Sequence, residues 1–260
     1  MAENNRFNDL LNARYYKPGY TPPPEQICLT ASGENIGSLG NFSVLTGLPK
    51  AGKSTFVSAM LASTLIYEDV FSLKLKADSA RAMIGYFDTE SSEFDFYKNI
   101  SRIKNLSKTQ TIGNIQPFST RPDSAGDIRG MVEEFLNIYP ASVVFIDGLL
   151  DCVANYNDET ESRFVIDWLK RITSVYNCLI IGVVHTGKKD GHTLGHFGSM
   201  VDRYAQSVIE ITRDREYNIY RFEPKYLRSS GGFADICLQW DGTQYVQIPE
   251  SLAPKKKPPR

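Results

Sequence analysis

Residues 47–54 carry the pattern G-x-x-x-x-G-K-[ST], with an apolar run before it and helically spaced apolar residues after it. Gly47 and Gly52 allow the backbone to turn tightly and to aim its N–H groups at phosphate oxygens. Lys53 can reach the β- and γ-phosphates of a nucleotide, and Ser54 offers a hydroxyl group to Mg²⁺. The segment therefore predicts a phosphate-binding loop that takes ATP together with Mg²⁺.

The whole loop is the candidate nucleotide site. A glycine-rich turn that binds nothing is the alternative, and it is disfavoured because the required strand and helix flank the motif. Thr55 is included, although packing of the helix suits it better than binding phosphate. The residues assigned to the nucleotide are Gly47, Leu48, Pro49, Lys50, Ala51, Gly52, Lys53, Ser54 and Thr55.

A second group of candidate residues follows the apolar stretch that ends at Asp88. Carboxylates at the carboxyl end of a central strand face the ligand crevice of an α/β sheet. Glu90 is therefore a candidate for polarising the water that attacks a γ-phosphate. The alternative is local and equally supported: Asp88 or Ser92 caps the next helix, and Glu90 lies near its first turn.

Two later apolar runs also end in a polar side chain. Residues 143–146 lead into Asp147, the form of a Walker B strand, whose carboxylate would hold Mg²⁺ together with Ser54. A plain turn at the strand end is the alternative. The run 178–184 ends at His185, which could hydrogen-bond a γ-phosphate and report its loss, or could simply cap the strand. Asp151 is expected to be a solvated loop residue.

Residues 186–200 then form a glycine-rich stretch with two adjacent lysines, Lys188 and Lys189. Single-stranded nucleic acid needs positive charge that follows its backbone, so this loop is the best local candidate for such contacts. An ordinary solvated loop is the alternative, because two lysines make only a small patch. A zinc site from the three histidines is disfavoured, since no cysteine or carboxylate spacing completes it.

Composition limits the class of protein. The 260 residues suit one large α/β domain, or one domain with appendages, and 42% hydrophobic residues are enough for a sizeable core. The net charge of −1 gives no global basic field, so nucleic-acid contact must come from a local patch. No apolar run reaches the length of a membrane span, and four widely separated cysteines fit a reducing cytoplasm.

The elements divide into three regions. Residues 1–30 form an N-terminal arm, either packed on its own domain or docked on a neighbouring subunit. Residues 31–250 alternate strands and helices and end in a β-rich segment with an Asp241-Gly242 hairpin turn. Residues 251–260 are a basic tail that we expect to be disordered.

The order of these motifs resembles the RecA-type P-loop ATPase core. The resemblance covers roughly residues 30–248, is closest to the RepA-type hexameric plasmid replicative helicases, and extends more distantly to the DnaB-type motor. It implies an α/β fold with a mostly parallel sheet flanked by helices and a C-terminal antiparallel β-hairpin extension.

The resemblance also implies residue roles. Glu90 matches the catalytic carboxylate, His185 the sensor, and the loop 186–198 the segment that contacts DNA. Lys225 and Arg228 match the basic pair that reaches a neighbour's site as piston and arginine finger. In helicase motors this pair is often spaced K-x-R, whereas here the two residues are three apart, so either could be the finger.

These observations predict an ATP-dependent DNA motor, a cytoplasmic helicase or translocase of a plasmid or mobile element. It would act on single-stranded DNA as a homo-oligomer, either a hexameric ring or a filament, with a loader or initiator protein that the sequence does not identify. The alternative is a RecA- or KaiC-like ATPase that regulates or assembles without unwinding. A monomeric small-molecule kinase is disfavoured, because the loop after His185 and the β-rich end have no role there.

Overall fold

The computed structural model describes residues 2–187 and 195–254, with side chains from Arg6 onward. Lys188 and Lys189 of the candidate nucleic-acid loop therefore lie outside the described residues, as does the end of the basic tail. Within the described ranges, no helix combines the length and the apolar character needed to span a bilayer.

Helices alternate with the strands of the large sheet from the phosphate-binding loop to His185, as the sequence predicts. The described helices are α1 (Ala2–Arg14), α2 (Lys53–Ile66), α3 (Glu93–Ser107), α4 (Ala125–Ile138), α5 (Glu159–Tyr176) and α6 (Gly195–Tyr204). The described strands are β1 (Ile27–Ala31), β2 (Glu34–Ser38), β3 (Phe42–Gly47), β4 (Leu73–Leu75), β5 (Met83–Asp88), β6 (Ile115–Ser119), β7 (Ala141–Asp147), β8 (Leu179–His185), β9 (Ser207–Asp214), β10 (Ile219–Leu227), β11 (Ile236–Trp240) and β12 (Tyr245–Ile248).

The large sheet has the strand order β12-β11-β10-β9-β3-β8-β7-β5-β6. The pairs from β9 to β6 are parallel, whereas β9 to β12 pair antiparallel in sequence order. The central strands β3 and β7 are buried along their whole length, which explains why both are rich in apolar residues. The predicted fold class, a mostly parallel sheet with a C-terminal antiparallel extension, is confirmed.

Helices cover both faces of this sheet. Apolar side chains of α2 and α3, among them Phe56 and Ile100, pack on one face. Those of α4, α5 and α6, among them Phe135, Leu169 and Phe197, pack on the other. Each fully buried side chain of this size contributes about 1.5–3 kcal/mol. The two layers fix the strands and hence the sheet edge at which the polar strand ends lie.

A smaller sheet of order β2-β1-β4 packs beside α2, and the sequence does not predict it. Its strands have three to five residues, and β2 carries polar residues and a glycine, which hides the alternation typical of a strand. Strand β1 begins at Ile27, within the residues assigned to the arm. Upstream of it, Phe7, Leu11 and Tyr15 are exposed.

Candidate active site

The carboxyl ends of four adjacent strands meet at one edge of the sheet. Gly47, at the end of β3, pairs with His185 at the end of β8. On the next strand, Asp147 ends β7 and pairs with Asp88 at the end of β5. Because parallel strands all end at the same edge, the sheet brings the phosphate-binding loop, the imidazole and the carboxylates together.

Two glycines give the phosphate-binding loop its shape. A Cβ atom on Gly47 would lie 2.3 Å from the carbonyl oxygen of Ile211 in β9, so only glycine fits there. A Cβ atom on Gly52 would lie 2.5 Å from the ring of Tyr220, and the φ of Gly52 is 100°. Gly52 is also the N-cap of α2 and supplies no side-chain cap, which suits the first N–H groups of that helix to an anion.

Lys53 is buried and donates hydrogen bonds to the phosphate-binding loop and to His185. Its Nζ atom lies 2.9 Å from the carbonyl oxygen of Gly47, 3.0 Å from that of Leu48 and 2.9 Å from Nδ1 of His185. Burial lowers the pKa of Lys53 to about 8, although Glu90 and the carboxylate of Asp147 partly oppose this shift.

His185 joins this lysine to the candidate catalytic carboxylate. Its Nε2 atom lies 2.8 and 3.0 Å from the two carboxylate oxygens of Glu90. Because an ammonium group only donates, Nδ1 must accept from Lys53, and the imidazole proton then resides on Nε2 and is donated to Glu90. Burial raises the pKa of Glu90, but the hydrogen bond from His185 and the positive charge of Lys53 outweigh it and lower the pKa overall. His185 therefore holds both neighbours and does more than cap its strand.

The candidate Mg²⁺ residues are adjacent. Ser54 Oγ donates to Oδ2 of Asp147 at 3.2 Å. Burial, followed by the charges of Asp88 and Glu90, raises the pKa of Asp147 to about 7, against the opposing effects of Ser54 and Lys53. Crowded buried carboxylates favour a cation, and hydroxyl and carboxylate oxygens are the donors that Mg²⁺ prefers.

The described residues contain no cluster of three or more His, Cys, Asp or Glu side chains suited to a metal. The ligands of an ion here would be one or two protein oxygens together with phosphate oxygens and water, which is the usual arrangement for Mg²⁺. Ser54 and Asp147 therefore fit the ion expected with ATP. Thr55 is buried, in keeping with packing of the helix.

Asp88 is a site residue for which the sequence predicts no role beyond a possible cap. Its Oδ1 atom accepts hydrogen bonds from the backbone N–H groups of Glu90 and Ser91, at 3.2 and 2.8 Å. Its Oδ2 atom accepts from Tyr86 and Asn99, at 3.2 and 3.3 Å. Asp88 thus fixes the turn that carries Glu90, while Ser92 caps α3. Its position could have indicated this role, because Asp88 is the first acidic residue after the apolar run and lies two residues before Glu90.

Thr89 and Gly148 complete the turn. The Thr89 hydroxyl lies 2.5 Å from Oδ2 of Asp151, so Asp151, although exposed as expected, accepts a hydrogen bond within the site. The backbone N–H of Thr89 donates to the carbonyl oxygen of Asp147 at 2.8 Å. A Cβ atom on Gly148 would lie 2.5 Å from Oε1 of Glu90, so Glu90 occupies the space that a side chain there would need.

The two candidate trans-acting cations lie on β10 and just after it. Strand β10 continues to Leu227, with a register shift between Pro224 and Tyr226. This places Lys225 at a β-bulge, a feature that re-aims side chains. Lys225 Nζ lies 3.5 Å from Oδ2 of Asp202 in α6.

Arg228 is exposed, and its guanidinium donates to the carbonyl oxygen of Arg203. Its backbone N–H donates to the carbonyl oxygen of Gln206, and the N–H of Gln206 donates to that of Phe42, where β3 begins. The phosphate-binding loop follows the other end of β3, about 17 Å away at about 3.3 Å per residue. The structure therefore does not bring Arg228 to the chain's own candidate site.

Comparison with known proteins identifies the fold and the family of this chain. The fold is similar to the "ATPase Domain of G40P", with 14% sequence identity, a TM-score of 0.59, and coverage of 80% of this chain and 85% of that one. Matches extend to 631 solved chains, so the likeness identifies a widespread RecA-like P-loop ATPase fold and not one activity. None of the curated proteins compared with the chain matches it. Residues 29–191, more than half of the chain, match the family described as "AAA domain". The protein therefore belongs to the AAA domain family.

Proposed function

We propose that the protein is an ATP-dependent DNA motor, a helicase or translocase of a plasmid or mobile element, that hydrolyses ATP between the subunits of a homo-oligomer. The observation that carries the chemistry is the chain of contacts from Glu90 through His185 to Lys53, next to the Ser54–Asp147 pair. Family membership and the RecA-like fold support ATP hydrolysis as the reaction.

ATP would bind with its phosphates in the loop 47–54. The γ-phosphate would then compete with the carbonyl oxygens of Gly47 and Leu48, and with Nδ1 of His185, for the ammonium of Lys53. Mg²⁺, held by Ser54 and Asp147, would neutralise charge on the β- and γ-phosphates. Glu90 would orient a water molecule for in-line attack, with its carboxylate held by Nε2–H of His185.

The position of Arg228 supports hydrolysis at a subunit interface. It lies at the sheet edge opposite its own phosphate-binding loop, so it could serve only the site of a neighbouring subunit. An arginine supplied in this way can accelerate phosphoryl transfer by about 10³–10⁵-fold. Repeating such a heterologous contact closes a hexameric ring or extends a filament.

The remaining parts of the proposal concern partners. Lys188 and Lys189 would follow the backbone of single-stranded DNA, which an overall charge of −1 cannot attract by itself. The N-terminal arm would dock on the next subunit, covering Phe7 and Leu11, which are 62% and 70% exposed.

ATP hydrolysis measured with and without single-stranded DNA tests the proposal. We expect strong stimulation by DNA for the native chain, its loss in Glu90→Gln and Arg228→Ala, and its reduction in a Lys188→Ala/Lys189→Ala variant. An unwinding assay then separates a helicase from a translocase. Hydrolysis that ignores DNA in the native chain would favour a regulatory or assembly ATPase instead.

A further inference from the structure

Gln206 is the centre of a buried hydrogen-bond network at the sheet edge opposite the candidate active site. The residue is 5% exposed and directly precedes β9. Its Oε1 atom accepts from the backbone N–H of Ser38 at 2.9 Å. Its Nε2 atom lies 2.9 Å from Ser38 Oγ, 3.0 Å from Ser229 Oγ and 3.3 Å from a carboxylate oxygen of Glu25. An amide nitrogen has two protons, so the two serine contacts are the primary ones.

The network is anchored on the rigid side of the domain. Ser38 is fully buried at the end of β2. Its hydroxyl donates to Glu25 at 2.5 Å and accepts from Asn35 at 3.0 Å, in addition to the bond from Gln206. Both the oxygen and the nitrogen of the buried Gln206 amide therefore bond to Ser38, and Ser38 is itself held in place by β2 and its own hydrogen bonds.

The other side of the network is the segment that carries Arg228. The backbone carbonyl of Gln206 accepts from the N–H of Arg228 at 3.1 Å, and its side chain holds the next residue, Ser229. Arg228 and Ser229 are exposed, and Gly231 and Gly232 follow them, each with nothing within 4 Å of a Cβ atom built on it. Two bonds from one residue thus tie the end of β10 to the domain at the point where the chain leaves the sheet.

We propose that Gln206 is a positioning residue, which orients Arg228 toward the ATP bound by a neighbouring subunit. The inference rests on the proposed function, because Arg228 has a role only if sites are shared. Removing the Gln206 side chain takes away the bond to Ser229 and the two bonds to Ser38, while Arg228 itself stays intact. A displacement of about 1 Å at a catalytic group can cost about 10²-fold in rate. We therefore expect Gln206→Ala to lower the DNA-stimulated kcat by about 10–100-fold, with ATP binding retained.

Mixing of impaired subunits separates a positioning role from general damage to the fold. A Gln206→Ala subunit keeps its own Glu90, and a Glu90→Gln subunit keeps a well-placed Arg228. In mixed oligomers, some interfaces combine the ATP site of a Gln206→Ala subunit with the Arg228 of a Glu90→Gln subunit. Such an interface has every group that hydrolysis needs. Random 1:1 mixing should make about a quarter of the interfaces complete, because the contact is heterologous. The mixture should therefore exceed either variant alone.

Mixing Arg228→Ala with Glu90→Gln is the control. If both mixtures regain activity, the inference stands. If only the Arg228→Ala mixture does, the inference is wrong while the shared site survives. If neither does, the shared site of the proposed function is wrong, and the inference falls with it.

A charge swap provides a variant that keeps the network, in case Gln206→Ala folds poorly. Gln206→Glu alone places a second carboxylate beside Glu25 and should lower the DNA-stimulated rate. Adding Glu25→Gln returns one amide and one carboxylate to this pair, and the hydroxyl groups of Ser38 and Ser229 can rotate to donate to the relocated carboxylate. We expect the double variant to recover at least about half of the DNA-stimulated rate that Gln206→Glu loses. A smaller recovery would mean that the network is not restored. No recovery, with native oligomer size and ATP affinity, would overturn the inference.

Discussion

His185 accepts a hydrogen bond from Lys53 at 2.9 Å, and so a single imidazole separates the phosphate-binding lysine from the candidate catalytic carboxylate. The contact depends on the strand order, because β8 lies directly beside β3 and ends at the same level. Any group that draws Lys53 toward a γ-phosphate must also change the surroundings of His185, and through it those of Glu90. The arrangement would couple nucleotide binding to Glu90, the candidate group for activating water.

Replacing His185 tests this coupling. We expect His185→Ala to lower the DNA-stimulated kcat by about 10²-fold, because Glu90 loses the donor that orients it. His185→Gln, which retains an N–H donor, should lose less. Equilibrium binding of a fluorescent ATP analogue should stay within about threefold of native, because the loop 47–54 is untouched. Equal rates for the Ala and Gln variants would contradict the orienting role.

Gly148 gives a second test of the position of Glu90. A Cβ atom there would lie 2.5 Å from Oε1 of Glu90, so Gly148→Ala should displace the carboxylate and lower kcat by about 10-fold or more. The displaced atoms belong to a flexible side chain, so the melting temperature should change little. The matched control is Gly130→Ala in α4, which meets nothing within 4 Å and should add about 0.5–1 kcal/mol of stability without changing the rate. Native hydrolysis by Gly148→Ala would show that Glu90 is not the critical carboxylate.

Lys53 should take up a proton when a nucleotide binds at alkaline pH. Its pKa is lowered to about 8, so at pH 8.5 about three-quarters of the side chains are neutral. Phosphates favour the charged form, and binding of Mg²⁺-free ADP should therefore draw a proton from the buffer. Calorimetry in buffers of different ionisation enthalpy measures this uptake. Lys53→Arg remains charged and should show none, whereas a native binding heat that is independent of the buffer would exclude the predicted titration.

Lys225 and Arg228 should differ in what their loss costs. Lys225 is 18% exposed and paired with Asp202, so Lys225→Met should destabilise the fold by about 1–3 kcal/mol in urea unfolding. Arg228 is exposed, so Arg228→Ala should change stability by less than about 0.5 kcal/mol while abolishing most of the DNA-stimulated rate. If Lys225→Met abolished the rate and Arg228→Ala affected only stability, Lys225 would be the cation that acts on the neighbouring site.

The sequence predicts the parts of the site that depend on local pattern. The phosphate-binding loop and Asp147 are visible because a specific motif and a buried apolar strand precede them, and the alternation of strands and helices predicts the parallel sheet. The contact of His185 with both Lys53 and Glu90 is not readable in this way, because it depends on the insertion of β8 between β3 and β7.

Other features are hidden for equally physical reasons. The continuation of β10 past Pro224 is hard to predict because proline cannot donate to the ladder, yet the strand continues with a bulge at Lys225. The Gln206 network joins Gln206 and Ser229 to Ser38, which is 168 residues before Gln206 in the chain, and each of these polar residues alone is typical of a loop or a strand end.

The most direct test of hydrolysis at subunit interfaces is the rate of ATP hydrolysis per subunit, measured with saturating single-stranded DNA across a dilution series. The oligomer size is followed by light scattering. Hydrolysis at subunit interfaces predicts that the rate per subunit rises with protein concentration and saturates as the oligomer forms. It also predicts that Arg228→Ala still assembles but stays slow at every concentration. A rate per subunit that is constant down to concentrations at which only monomers remain would exclude a shared site, because a single chain would then hold a complete one.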